Sequence, residues 1–174
     1  ADEGAEGIGL DRTEHMFLGE RKQLIQNFIL AEDDAVKSES LEKLGAAQKG
    51  DFLGMFKAMD GKTVIVRLLD PPLHEFLDNP RALDVEIAKA EAAGKDTAAK
   101  RALMAKLDSF QEANPMLGLR GCRLGLVYPE LNVMQVKAIA GATAELIKQG
   151  FNPKPEIMIP LAGFAAELEI VRGI

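Results

Sequence analysis

Three arginines stand where a chain could assemble a site for an anion. Arg12 follows the apolar segment Gly7-Ile8-Gly9-Leu10, Arg67 interrupts the β-branched run Thr63-Val64-Ile65-Val66 just before it ends, and Arg120 lies in the glycine-punctuated Gly118-Leu119-Arg120-Gly121. A guanidinium stays charged in any site and presents a planar fork of donors suited to phosphate or carboxylate. Arg67 is the most informative, because a charge within a strand buried on both faces is costly unless a counterion meets it. Asp11, Glu14, Asp70 and Glu75 are the carboxylates near in sequence. For any one arginine, a structural pair with one of them is as good a reading as ligand binding. Three arginines at one edge favour a small, multiply charged anion.

His15 and His74 follow the same geography, and an imidazole can act as acid or base near pH 7. Fastening a loop through the ring nitrogens is the commoner use. Cys122, between Gly121 and Arg123, reads as a small buried filler. Asp70 and Glu14 could orient the arginines, but a hard cation needs more convergent oxygens than can be placed here. One thiol and two imidazoles cannot fill a four-ligand zinc site, so no metal ligands are expected in this segment. Walker-type phosphate loops and dinucleotide fingerprints are absent; the glycines Gly4, Gly7 and Gly9 precede or lie in a strand instead of following one.

The elements that must position these residues come from a chain of 174 residues, 47% apolar and 28% charged, which excludes disorder as the main reading. A net charge of -6 argues against nucleic acid and against an anionic membrane surface as partners. No run approaches the roughly 20 apolar residues that span a bilayer, and the start lacks the features of a signal peptide. A lone cysteine makes the reducing cytoplasm the default compartment. The chain starts at Ala1 instead of Met, which favours an excerpt or processed product.

Three segments read as strands: Gly7–Leu10; Thr63–Leu69, almost continuously apolar as expected of a strand covered on both faces and stopped by Asp70-Pro71-Pro72; and Glu156–Leu161, ending near Pro160. Helical spacing appears at Leu24, Ile25, Phe28 and Ile29, and again at Leu41, Leu44, Phe52, Phe56 and Met59. Pro80–Ala93 and Thr97–Phe110, broken by Gly94-Lys95-Asp96, suggest an exposed helical hairpin. A long helix is expected from Pro129 to about Gly150, supported by the apolar positions Leu131, Met134, Ile139 and Ile147. A last helix should begin after Gly163. Alternating strands and helices imply an α/β fold with a parallel sheet, whose ligands bind at the carboxyl ends of the strands.

Four segments carry a resemblance. Gly7-Ile8-Gly9-Leu10-Asp11-Arg12-Thr13-Glu14-His15-Met16-Phe17, Val66-Arg67-Leu68-Leu69-Asp70-Pro71-Pro72-Leu73-His74-Glu75-Phe76-Leu77, Asn114-Pro115-Met116-Leu117-Gly118-Leu119-Arg120-Gly121-Cys122-Arg123-Leu124-Gly125 and Pro155-Glu156-Ile157-Met158-Ile159-Pro160-Leu161 resemble successive motifs of the pyruvate, phosphate dikinase family of phosphoenolpyruvate-utilising enzymes. Phosphoenolpyruvate synthase and enzyme I of the sugar phosphotransferase system share the arginines but match the surrounding words less well. A non-catalytic anion-binding module or a degenerate barrel fragment is the alternative from another class.

The resemblance implies a segment of a (β/α)8 TIM barrel spanning residues 1–174. It would hold about three βα units and a helical insertion at about 80–112, from the second strand to the start of the fourth helix. A full barrel needs about 250 residues. The intact enzyme would interconvert ATP, pyruvate and phosphate with AMP, phosphoenolpyruvate and diphosphate through a phosphohistidine on another domain. Arg12 and Arg67 would contact the transferring phosphoryl group, with Arg120 close by and Asp70 in support. The magnesium ligands, the nucleotide-binding and phosphohistidine domains and a proton-donating cysteine would lie outside this segment, so the segment alone is expected to be inactive. A homodimer is expected of full-length chains. The family usually carries Cys where this chain has Asp11; a carboxylate there would weaken the grip of Arg12 unless it faced solvent.

Overall fold

A computed structural model describes residues 2–174. Its centre is a sheet of three parallel strands in the order β1 (Gly7–Arg12), β2 (Thr63–Arg67), β3 (Lys154–Met158). Around it stand seven α-helices: α1 (Lys22–Leu30), α2 (Asp34–Ala58), α3 (Pro80–Ala92), α4 (Ala98–Ser109), α5 (Cys122–Val127), α6 (Pro129–Lys148) and α7 (Ala165–Gly173). The expected α/β class with a parallel sheet is present, in a mostly helical chain.

α2 forms because Asp33 caps it, accepting the Ala35 amide at 2.8 Å, and because every fourth residue, Ser40, Leu44, Gln48, Phe52 and Phe56, turns inward. α6 buries Leu131, Met134, Ala138, Ile139, Ala142 and Leu146. Together they cover one face of the sheet. Phe52, Phe56, Ala138, Ile139 and Leu146 pack on Val64 and Val66 of β2. A second cluster, including Phe17, Phe28, Leu44, Phe76 and Leu131, lies beside the carboxyl ends of the strands.

Several boundaries differ from expectation for identifiable reasons. β2 is covered on one face only: Val64 and Val66 are buried, while Ile65 and Arg67 are half-buried on the other side. β2 stops at Arg67 and not Leu69, because only Leu68 N–H makes one more bond toward β3, to Met158 O at 3.0 Å. β3 ends at Met158, two residues before Pro160, and Leu161 then takes a left-handed φ of 57°. Ile147 of α6 is 59% exposed, beside Pro155 and Ile157 of β3. The helical hairpin forms as α3 and α4, each burying one side chain, Ile87 and Leu107. The short α5 lacked a helical signature because it is only 6 residues long.

β1 extends through Arg12 by means of a bulge. Ile8 pairs with Val64 but Asp11 pairs with Val66, so Gly9 and Leu10 together oppose Ile65. The extra residue restores the alternation beyond it. Asp11 thereby joins Val66 on the helix-packed face, and Arg12 faces the same side as its partner Arg67.

Candidate anion-binding site

The carboxyl ends of β1 and β2 bring Arg12 and Arg67 side by side, as register partners on the open face of the sheet. Arg67 is gripped from both sides. One Nη donates to Glu14 and the other lies 3.0 Å from Asp70 Oδ2. That same oxygen accepts from Arg120 at 2.7 Å. Glu14, Arg67, Asp70 and Arg120 thus form one alternating chain of charges, with side-chain exposures between 6% and 17%. The structural pairing holds for Arg67 and Arg120 and not for Arg12. Arg12 is exposed and makes no ion pair among the described residues.

Arg120 reaches the site through a backbone device. Gly121, at φ +60°, donates its N–H to Asp70 O at 2.9 Å, and the next amide, Cys122, donates to Pro160 O at 2.8 Å. A Cβ on Gly121 would lie 2.9 Å from Pro160 O, so both the conformation and the contact require glycine. This crosslink holds the Arg120 loop against the ends of β2 and β3.

Donor capacity remains after these pairings. Nε of Arg67 and Nε of Arg120 are buried with no hydrogen-bond partner among the described residues, as are Oε2 of Glu14 and Oδ1 of Asp70. A guanidinium has five N–H donors, and here only some are taken. The arrangement can orient and neutralise an anion carrying several oxygens. Glu14 and Asp70 are committed to guanidinium groups, and among the described residues no group of three or more His, Cys, Asp or Glu is placed to hold a metal ion. The residues present do not fit a magnesium centre.

Asp11 makes no ion pair with Arg12 among the described residues and is not fully exposed. It is half-buried on the helix side, with Oδ2 buried and unpartnered. Burial, reinforced by Glu14 and Asp51, pushes its carboxyl up from 3.8 to about 6, against a small downward pull from His15. It lines a polar cleft of about 620 Å³ with Arg12, His15, Arg21 and Asp51, the last two joined as an ion pair.

Among the described residues, the histidine rings make no hydrogen bond that would fasten a loop. His15 is exposed, and Nδ1 of His74 is buried without a partner among the described residues. Their backbone carbonyls do the fastening instead, accepting Leu18 and Leu77 amides at 3.4 and 3.1 Å. Cys122 is buried, donates to Leu161 O at 3.2 Å, and has its thiol pushed up by burial and by Glu167, which fits a filler and not a nucleophile.

Gln135 and Thr13 carry weight that sequence reading missed. Gln135 is fully buried in α6; its Oε1 accepts Leu69 N–H at 2.8 Å and its Nε2 donates to Thr13 Oγ1 at 2.9 Å. The Thr13 hydroxyl donates in turn to Arg67 O at 2.8 Å. The available signal was an amide at an inward helical position between Leu131 and Ala138.

Residues 1–174 match the family described as PEP-utilising enzyme, PEP-binding domain. The chain is 47% identical over 172 residues to pyruvate, phosphate dikinase of Giardia intestinalis, covering 98% of this chain and 19% of that protein. It is 47% identical over 177 residues to the chloroplastic pyruvate, phosphate dikinase 1 of Oryza sativa subsp. japonica, covering 98% of this chain and 18% of that protein. The chloroplastic pyruvate, phosphate dikinase 1 of Arabidopsis thaliana is 46% identical over 166 residues, 95% of this chain and 17% of its own. The chain therefore belongs to the PEP-utilising enzyme family and spans less than a fifth of the length of these relatives.

Proposed function

We propose that this chain supplies the phosphoenolpyruvate and pyruvate site of a pyruvate, phosphate dikinase. Residues 1–174 form one partial TIM-barrel domain with α3 and α4 as its helical insertion. The observation that carries the reading is the register pairing of Arg12 with Arg67 beside the Glu14, Arg67, Asp70, Arg120 chain, at the sheet edge where such folds bind ligands.

In this reading Arg12 and Arg67 receive the phosphoryl oxygens, and Arg120 approaches the same anion from the third side. Asp70 holds Arg67 and Arg120 at a fixed spacing before the ligand arrives. Preorganised cations of this kind lower the barrier where charge spreads over phosphoryl oxygens. When bound in the intact enzyme, magnesium adds further charge neutralisation from ligands outside this segment. The phosphoryl donor is a phosphohistidine on another domain, charged by ATP and phosphate on a nucleotide-binding domain. The full-length protein works as a homodimer in the cytoplasm, and the isolated segment is inactive.

Two partial reactions test the assignment in the full-length protein. Arg67→Leu should abolish exchange of labelled pyruvate into phosphoenolpyruvate while leaving nucleotide-side exchange of ATP and AMP intact. Unchanged pyruvate exchange would dismiss the assignment.

A further inference from the structure

We propose that Gln135 is a positioning residue for the phosphoenolpyruvate-side reaction, acting through Thr13 on Glu14 and through the Leu69 amide on Asp70, the two carboxylates that hold Arg67. The inference rests on the assignment of Arg67 to the phosphoryl site.

The direction of every bond in this network is fixed by chemistry. Leu69 N–H can only donate, so the amide oxygen of Gln135 must face it. The single proton of Thr13 Oγ1 goes to the carbonyl of Arg67, so that hydroxyl must accept from the amide nitrogen of Gln135. Gln135 and Thr13 are both 0% exposed, so no solvent competes for these bonds.

The anchor points lie where the site needs them. As β2 ends, the Arg67 carbonyl and the Leu69 amide have left the regular ladder, and a buried backbone group without a partner is unfavourable. Thr13 takes the first and Gln135 the second. Thr13 immediately precedes Glu14, and Leu69 immediately precedes Asp70, the two carboxylates that grip Arg67. A single carboxamide on α6 therefore sets the positions from which both partners of Arg67 extend. An apolar side chain would pack the helix on the sheet equally well but would leave these strand ends unregistered.

The test uses the full-length protein and four variants. Gln135→Met keeps the volume and removes both bonds; Gln135→Glu keeps the acceptor toward Leu69 but loses the donor toward Thr13; Thr13→Val removes the hydroxyl; Thr13→Ser retains it. Gln135→Met and Thr13→Val should each lower kcat/KM for phosphoenolpyruvate by roughly 10- to 100-fold, the scale expected when a reacting group is misplaced by about an ångström. Nucleotide-side exchange should stay at the parent rate. Their double variant should be no worse than the weaker single, because one network is lost once. Gln135→Glu should fall between parent and Gln135→Met, and Thr13→Ser should recover most of the Thr13→Val loss.

Equal loss of both partial reactions, or a lowered melting temperature with kcat/KM for phosphoenolpyruvate unchanged, would overturn the proposal. Should Gln135→Met fail to fold, Thr13→Val against Thr13→Ser decides by the same readouts. Arg67→Leu is run alongside: if it alone abolishes pyruvate exchange, only the positioning role fails; if it is active, the underlying assignment fails too.

Discussion

Replacing Asp11 by Asn should stabilise the β1 edge at neutral pH and do nothing below about pH 4. The carboxyl is half-buried, its Oδ2 has no hydrogen-bond partner, and its nearest charges include Glu14 and Asp51. Its folded pKa is raised from 3.8 to about 6. The native state therefore binds more protons than the unfolded chain between those values, so stability falls as pH rises through that window. At about 1.4 kcal/mol per pH unit the ceiling is near 3 kcal/mol, and partial solvation of the group reduces it to about 1–2 kcal/mol. That corresponds to roughly 5- to 30-fold in the equilibrium for local opening. Hydrogen exchange of the β1 amides, compared between Asp11→Asn and its parent at matched pH, reads the difference directly. Protection should be greater in the variant at pH 7.5 and equal at pH 4. Equal protection at both values, or a gap that persists at pH 4, would refute the reasoning.

Asp70→Asn should destabilise the chain by about 3–5 kcal/mol, since it leaves two buried guanidiniums without their shared counterion, and added phosphate should restore part of the loss in a thermal melt. Gly7→Ala would place a methyl 2.7 Å from Thr63 O and pry β1 from β2, costing about 1–3 kcal/mol by denaturant titration. Gly121→Ala should cut phosphoenolpyruvate affinity along with stability, because the Arg120 loop loses its crosslink to Asp70 O and Pro160 O; calorimetric binding in the full-length protein checks this. The isolated 174-residue chain should self-associate, since β3 has an unpaired edge beside exposed Ile157, Leu168 and Ile170; a monodisperse monomer in sedimentation would contradict that.

What was legible in the sequence follows from which signals are local. The β-branched run around Val64 and the inward spacing of Leu44, Phe52 and Phe56 specify elements through side-chain period alone, and those elements formed. Arg67 was conspicuous because charge in an apolar run needs a partner, and the partners are Glu14 and Asp70. The placement of Asp11 was not legible because its face depends on the bulge at Gly9 and Leu10, a feature of pairing with β2 that no single strand reveals. The end of β2 was overshot for a similar reason: Leu69 looks like strand, but its amide is claimed by Gln135 from a helix far along the chain. Ile147 has helical spacing yet stays exposed beside Pro155 and Ile157 of the edge strand β3, with no further strand among the described residues to cover it.

The charge pattern explains how an acidic chain can offer an anion a site. A net charge of -6 gives no general attraction for anions. At the strand ends, however, Glu14 and Asp70 balance Arg67 and Arg120, and the exposed Arg12 supplies the surplus positive charge. A site built this way selects by the orientation of its donors more than by bulk charge. Buried guanidiniums with no counterions would each cost several kcal/mol in lost hydration. The carboxylates are thus the condition for keeping the forks in a low-dielectric setting, where an anion that gathers charge is stabilised most. Carboxylates that would compete with an anion for these donors are what hold Arg67 and Arg120 at fixed spacing.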